Sequence, residues 1–203
     1  MKTKIYLITL LSLFLLSVNT ESLVSRASEK DLKATQRWLK SLGKKYTLNE
    51  IKNLKELNLQ RIKVTDAGLV HLKSLRNLQK LNLRWTQVTD AGLVHLKGLK
   101  SLQELNLTRT QVTDAGLVHL KALKSLKTLI LMKTKVTGPG LVHLKALKSL
   151  QTLNLYGTKV TDAGLVHLKT LKSLEWLVLE DTQVTDAGVK DLQKALPGCH
   201  ITK

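Results

Sequence analysis

The sequence predicts an α/β fold of one kind, a right-handed β/α solenoid with a parallel sheet on its concave side and short helices on its convex side. Three observations predict it. A unit of 24 residues recurs six times in register, beginning at Leu54, Leu78, Leu102, Leu126, Leu150 and Leu174, and a fixed period of this length marks a repeat architecture. Each unit opens on L-x-x-L-x-L, the alternation of a short strand with leucines on one side. Each then closes on a leucine run with helical spacing.

The third unit, LQELNLTRTQVTDAGLVHLKALKS from Leu102 to Ser125, shows the parts most clearly. Leu105 and Leu107 are expected to face inward, with Glu104, Asn106 and Thr108 outward. After a polar turn ending at Val112, TDAGLVHLKAL places Leu117, Leu120 and Leu123 on one helical face. Thr113 stands where an N-cap belongs and Asp114 in the acidic first turn. One such unit buries its leucines only against the next, so stacking is obligatory. Six strands about 4.8 Å apart make a sheet roughly 29 Å long.

These repeats, read as L-x-x-L-x-L-x-x-T-x-V-T-D-A-G-L-x-x-L-x-x-L, resemble the leucine-rich repeat proteins, and most closely a bacterial subclass. The resemblance covers roughly 150 of the 203 residues. It implies the solenoid and a non-enzymatic binding role, without naming a partner. The family's usual turn asparagine is replaced by Thr86, Thr110, Thr134, Thr158 and Thr182, and by Ile62 in the first unit. A threonine hydroxyl can still satisfy turn backbone groups, whereas Ile62 cannot and marks an atypical terminal unit. The fourth unit reads Thr137-Gly138-Pro139-Gly140 where the others read Thr-Asp-Ala-Gly. Proline is tolerated in a first helical turn, so this helix is expected to survive with a looser start. Similar repeats form the substrate-reading half of eukaryotic F-box adaptors. No F-box-like segment fits in the 26 residues ahead of the repeats, which leaves that reading remote.

The domain plan that follows is a signal peptide over 1–27, an N-terminal cap over 28–53, six repeats over 54–197 and a C-terminal cap strand over 198–203. Met1 to Lys4 is basic, and the apolar run Ile5 to Val18 has the length of a secretory signal core rather than of a bilayer span. A retained anchor is the alternative. Ser25-Arg26-Ala27 offers a small-x-small cleavage site, and Val18-Asn19-Thr20 a weaker one. No cysteine follows the run, which excludes the lipoprotein route. The expected location is therefore secreted, periplasmic or on the cell envelope. In the cap, Leu32, Trp38, Leu39 and Leu42 have helix-compatible spacing, with Trp38 expected to plug the core, Gly43 to stop the helix and Tyr46-Thr47-Leu48 to form an edge strand. At the other end a helix over Ala187 to Leu196 should stop at Pro197-Gly198, and Cys199-His200-Ile201 should form the last strand. Cys199 reads first as a buried cap residue, with an intermolecular disulfide as the sharper alternative and metal binding with His200 as a remote one.

The composition, 43% hydrophobic but 3% aromatic, agrees with leucine doing most of the packing, and a single cysteine allows no internal disulfide. No phosphate loop or nucleophile elbow is present, and the one carboxylate pair, Glu180 and Asp181, consists of adjacent strand-end residues expected to point in different directions, so neither an enzyme nor a cofactor is expected. His71, His95, His119, His143 and His167 recur once per unit. They read as one structural position copied five times, in packing or helix hydrogen bonding, rather than as a metal ladder.

The net charge of +18 is concentrated on the helices. Lys73, Lys97, Lys121, Lys145 and Lys169 form one column, and Arg76, Lys100, Lys124, Lys148 and Lys172 a second. The plain reading is a solvated face that prevents self-association. The functional alternative is adhesion to an anionic envelope polymer or lipid. Nucleic acid is least expected, because a secretory signal precedes the repeats and stacking aromatics are absent from this side. The concave face differs from unit to unit, and Asn58, Asn82, Asn106 and Asn154 make a partial amide row interrupted by Ile130. Trp, Tyr and Arg on a rigid sheet tend to dominate binding energy, so Arg84, Trp85, Arg109, Lys133, Tyr156 and Trp176 are the expected recognition surface for a macromolecular partner, most simply a protein.

Overall fold

The computed structural model describes residues 28–203. The expected signal peptide over 1–27 lies outside the described residues. The remainder divides into two compact units at Ile51 and Lys52.

The first unit opens on helix α1, residues 28–41. Thr35 and Leu39 are its buried positions, while Trp38, expected as the core plug, is only half-buried. The helix ends in a left-handed Gly43 with φ +75°. The N–H of Gly43 donates to Lys40 O and that of Lys44 to Leu39 O, at 3.0 and 2.9 Å, the paired bonds that satisfy otherwise orphaned terminal carbonyls. The edge strand expected at Tyr46–Leu48 does not form. Residues 44–47 are irregular and α2 spans Leu48–Lys52. The competing signal was Thr47-x-x-Glu50, a capping box. Thr47 N–H donates to Glu50 Oε2 at 2.6 Å and Glu50 N–H donates back to Thr47 Oγ1 at 3.2 Å.

In the second unit seven strands form one parallel sheet in chain order. They are β1 (Glu56–Asn58), β2 (Lys80–Asn82), β3 (Glu104–Asn106), β4 (Thr128–Ile130), β5 (Thr152–Asn154), β6 (Trp176–Val178) and β7 (His200–Thr202). Every repeat strand pairs with the residues 24 positions away, Leu81 beside Leu57 and Leu105. Each leucine position therefore becomes a column. Leu105, Leu107, Leu117, Leu120 and Leu123 are at most 1% exposed, and burying a side chain of this kind stabilises by about 1.5–3 kcal/mol.

The outer arc is not one helix per unit. A single α turn is followed by a tighter 3₁₀ segment: α3 (Asp66–Leu69) by Val70–Ser74, α4 (Asp90–Leu93) by Val94–Gly98, and α5 (Asp114–Leu117) by Val118–Ala122. The 3₁₀ geometry rises about 2.0 Å per residue against 1.5 Å in an α-helix, so it crosses the unit in fewer residues. In the fourth unit the whole arc, Pro139–Ala146, is 3₁₀. The helix expected to survive with a looser start is instead wound as the tighter 3₁₀ form throughout, without the α turn of the other units. α6 (Asp162–Leu165) returns to the α form, and the last helix, α7, spans Asp186–Ala195.

The turn threonines are donors to their own turns. Thr86, Thr110, Thr134, Thr158 and Thr182 each donate Oγ1–H to the carbonyl three residues back at 2.6–2.7 Å. Four of them are buried, where an unmade bond would cost about 1–3 kcal/mol.

Candidate functional site at the strand-end rim

Each repeat strand runs into a turn whose second residue has left-handed backbone. These residues are Arg61, Trp85, Arg109, Lys133 and Asp181, with φ between 52° and 59°, and Gly157 at 64°. A non-glycine residue there costs roughly 1–2 kcal/mol. The position nevertheless carries bulky or charged side chains in five of six units, and in-register stacking places them in a row along one rim of the sheet.

On that rim the expected residues gather into two stacked pairs. The Arg109 guanidinium lies 4.2 Å from the Trp85 ring centroid, and Lys133 Nζ lies 5.3 Å from that of Tyr156. Such contacts are worth about 0.5–1 kcal/mol at exposed sites, and they leave the edges of the guanidinium free to meet carboxylates. Trp85 is 42% exposed, while Arg84 and Tyr156 are half-buried. Trp176 is not part of this rim. It begins β6, is 53% exposed, and meets His200 edge to face with ring centroids 4.7 Å apart. Thr108, expected to point outward, is 2% exposed, while its neighbour Arg109 on the rim stays exposed.

The amide row has a structural role that sequence spacing did not reveal. Asn58, Asn82, Asn106 and Asn154 each accept on Oδ1 from the backbone N–H two residues on, at 2.9–3.0 Å. They cap the strand end. An N–H can only donate, so the amide is oriented with Nδ2 turned away from that bond. Ile130 and Val178 give Met132 and Glu180 no such acceptor. Beside the row, Lys80 lies between Glu104 at 3.1 Å and Glu56 at 3.5 Å. Its ammonium is held above the usual lysine value chiefly by the hydrogen bond to Glu104. This triad was missed because its members are 24 residues apart, although the repeat register contained the signal. Arg84 Nε and Glu180 Oε2 are buried without a hydrogen-bond partner among the described residues.

The helical face is more uniform. Burial and the lysine of the preceding coil hold His95, His119, His143 and His167 below the usual imidazole range. The helix hydrogen bonding offered above for this column is not seen at Nδ1 of His119, His143 and His167, which is buried without a partner among the described residues. Cys199 is 4% exposed, and burial pushes its thiol up to about 11, keeping it protonated and unreactive at neutral pH.

A model of the leucine-rich repeat family matches residues 74–96 and 98–121, two successive coils of this sheet. Over these coils the chain matches the leucine-rich repeat family, and its fold is that of a leucine-rich repeat solenoid. Among solved structures, an internalin from Listeria monocytogenes aligns with a TM-score of 0.60 at 20% identity, covering 74% of this chain and 47% of that one, a likeness of fold. Internalin C2 from the same species aligns at 0.55 and 28% identity over 77% and 66% of the two chains. A leucine-rich repeat protein from Leptospira interrogans aligns at 0.56 and 25% identity over 77% and 44%. The repeat protein therefore spans about half to two thirds of the length of these neighbours. No match was found among curated proteins.

Proposed function

We propose that this leucine-rich repeat protein is a non-enzymatic scaffold that recognises a protein partner through the strand-end rim of its concave sheet, with Arg84, Trp85, Arg109, Lys133 and Tyr156 at the centre and Trp176 as a separate contact. The observation that carries this reading is the pair of cation–aromatic stacks held on left-handed turns. Large, flat side chains already fixed in place lose little freedom on association, and Trp, Tyr and Arg are the types that concentrate binding energy. The scaffold acts in the secreted, periplasmic or envelope compartment to which the signal-like start would direct it. Crosslinking capture from native envelope tests the reading. W85A/Y156A should abolish capture of the partner that the unaltered chain retains, with the melting temperature unchanged. Equal capture by both would remove the rim as the site.

A further inference from the structure

The helical face repeats where the strand face varies. Val70, Val94, Val118, Val142 and Val166 form a row of aliphatic side chains 38–49% exposed. Lys73, Lys97, Lys121, Lys145 and Lys169 stand three residues further on. In a 3₁₀ helix residues i and i+3 eclipse, so Val118 and Lys121 share one ridge of the Val118–Ala122 segment. The coils stack in register, which turns the ridges into parallel rows across the face. A third row lies beyond. Lys100, Lys124, Lys148 and Lys172 each donate Nζ–H to a carbonyl of the next coil at 2.7–3.3 Å, which fixes their ammonium groups against the face. Lys73, Lys97, Lys121 and Lys145 have no ion pair among the described residues, whereas Lys169 pairs with Asp191. The aspartates of this arc, Asp66, Asp90 and Asp114, are each turned onto a threonine of the following coil.

A face that is the same on every coil has no feature by which a folded protein could find its register. It suits a partner that is itself uniform and anionic. A soluble polyanion would use the lysines and gain nothing from the valines, while a bilayer uses both: phosphates meet the ammonium rows and the apolar row enters the headgroup boundary. We propose that the helical face docks on an anionic lipid bilayer. This surface lies opposite the concave rim, and the proposal stands or falls separately from the reading of that rim.

Vesicle binding by the full chain tests it, with phosphatidylcholine alone or with about 30% phosphatidylglycerol to set the surface potential. K73Q/K97Q/K121Q/K145Q should weaken binding to the anionic vesicles at least about tenfold, since each lysine near such a surface contributes up to about fivefold. Neutral vesicles report what the apolar Ile5–Val18 run contributes to every variant. The near-isosteric V94T/V118T/V142T should weaken anionic-vesicle binding severalfold and leave binding to soluble polyphosphate unchanged. W85A/Y156A should bind vesicles as the unaltered chain does. Melting curves confirm that each variant is folded. Undiminished vesicle binding by the lysine variant would overturn the proposal. So would an unchanged affinity of the threonine variant, which would reduce the face to a polyanion-binding charge array.

Discussion

The seams between successive coils are closed in two ways. At four of them an aspartate at the start of one coil's helix reaches a threonine of the next: Asp66 to Thr89, Asp90 to Thr113, Asp114 to Thr137 and Asp162 to Thr185. In each the threonine N–H and hydroxyl both donate to the carboxylate, the N–H at 2.7–2.8 Å. The glycine three residues beyond that threonine must be bare, because a methyl on Gly92, Gly116, Gly140 or Gly188 would collide with that carboxylate. Between the fourth and fifth coils the aspartate is Gly138. There Gly164 packs directly on the backbone of Gly138, and Thr161 makes no side-chain cap. The electrostatics differ too. Aspartates partly offset the depression of His95, His119 and His143, but none does so for His167. One backbone path thus tolerates either a hydrogen-bonded clasp or a bare glycine contact, provided the leucine columns continue through the seam.

Substitutions break this comparison in a definite order. Gly164→Ala forces a methyl against backbone that cannot swing aside and should cost about 2–4 kcal/mol. Gly116→Ala meets a side chain and should cost less, a ranking that urea titration measures. Asp114→Ala leaves a threonine N–H and hydroxyl without their acceptor and should lose about 1–3 kcal/mol. Thr161→Val at the unclasped seam should stay within about 0.5 kcal/mol, and equal losses for these two would show that the clasp adds nothing. The His row sharpens the comparison through pH. The folded chain binds protons there less readily than the unfolded chain, so the stability at stake is full above the usual histidine range and is lost as pH falls through it towards the lower folded values. Melting temperatures should therefore fall on acidification from about pH 7.5 to about pH 5.5, and less so in H95Q/H119Q/H143Q/H167Q. The last effect is a gain: G138D/P139A gives Thr161 the carboxylate it lacks, at the cost of a Cβ 3.0 Å from Gly164 Cα, and should add about 0.5 kcal/mol, visible as a slightly higher melting temperature.

Much of this was legible because repetition removes the usual ambiguity of short apolar runs. Six copies of L-x-x-L-x-L fixed the strand leucines and their inward side, and Thr86 and its counterparts could be read as turn donors from chemistry alone. The misreadings arose where two local signals competed or where a contact crossed between coils. Tyr46–Leu48 had strand-like composition, but Thr47 and Glu50 closed a capping box. Asp114 was read as a residue of its own helix, although its carboxylate serves the following coil. At the rim, residue types suggested one surface, and the structure divides it into Trp85–Arg109, Lys133–Tyr156 and a distant Trp176.

Periodicity alone determined that the chain would wind into stacked coils with leucine columns inside, because no single coil can shelter its own apolar side chains. Tertiary structure decided which polar groups face each other across a seam, which turn residues enter the left-handed region, and which aromatic rings acquire a cation above them. Those outcomes depend on distances between residues 24 apart, and these are set only once neighbouring coils have settled into register.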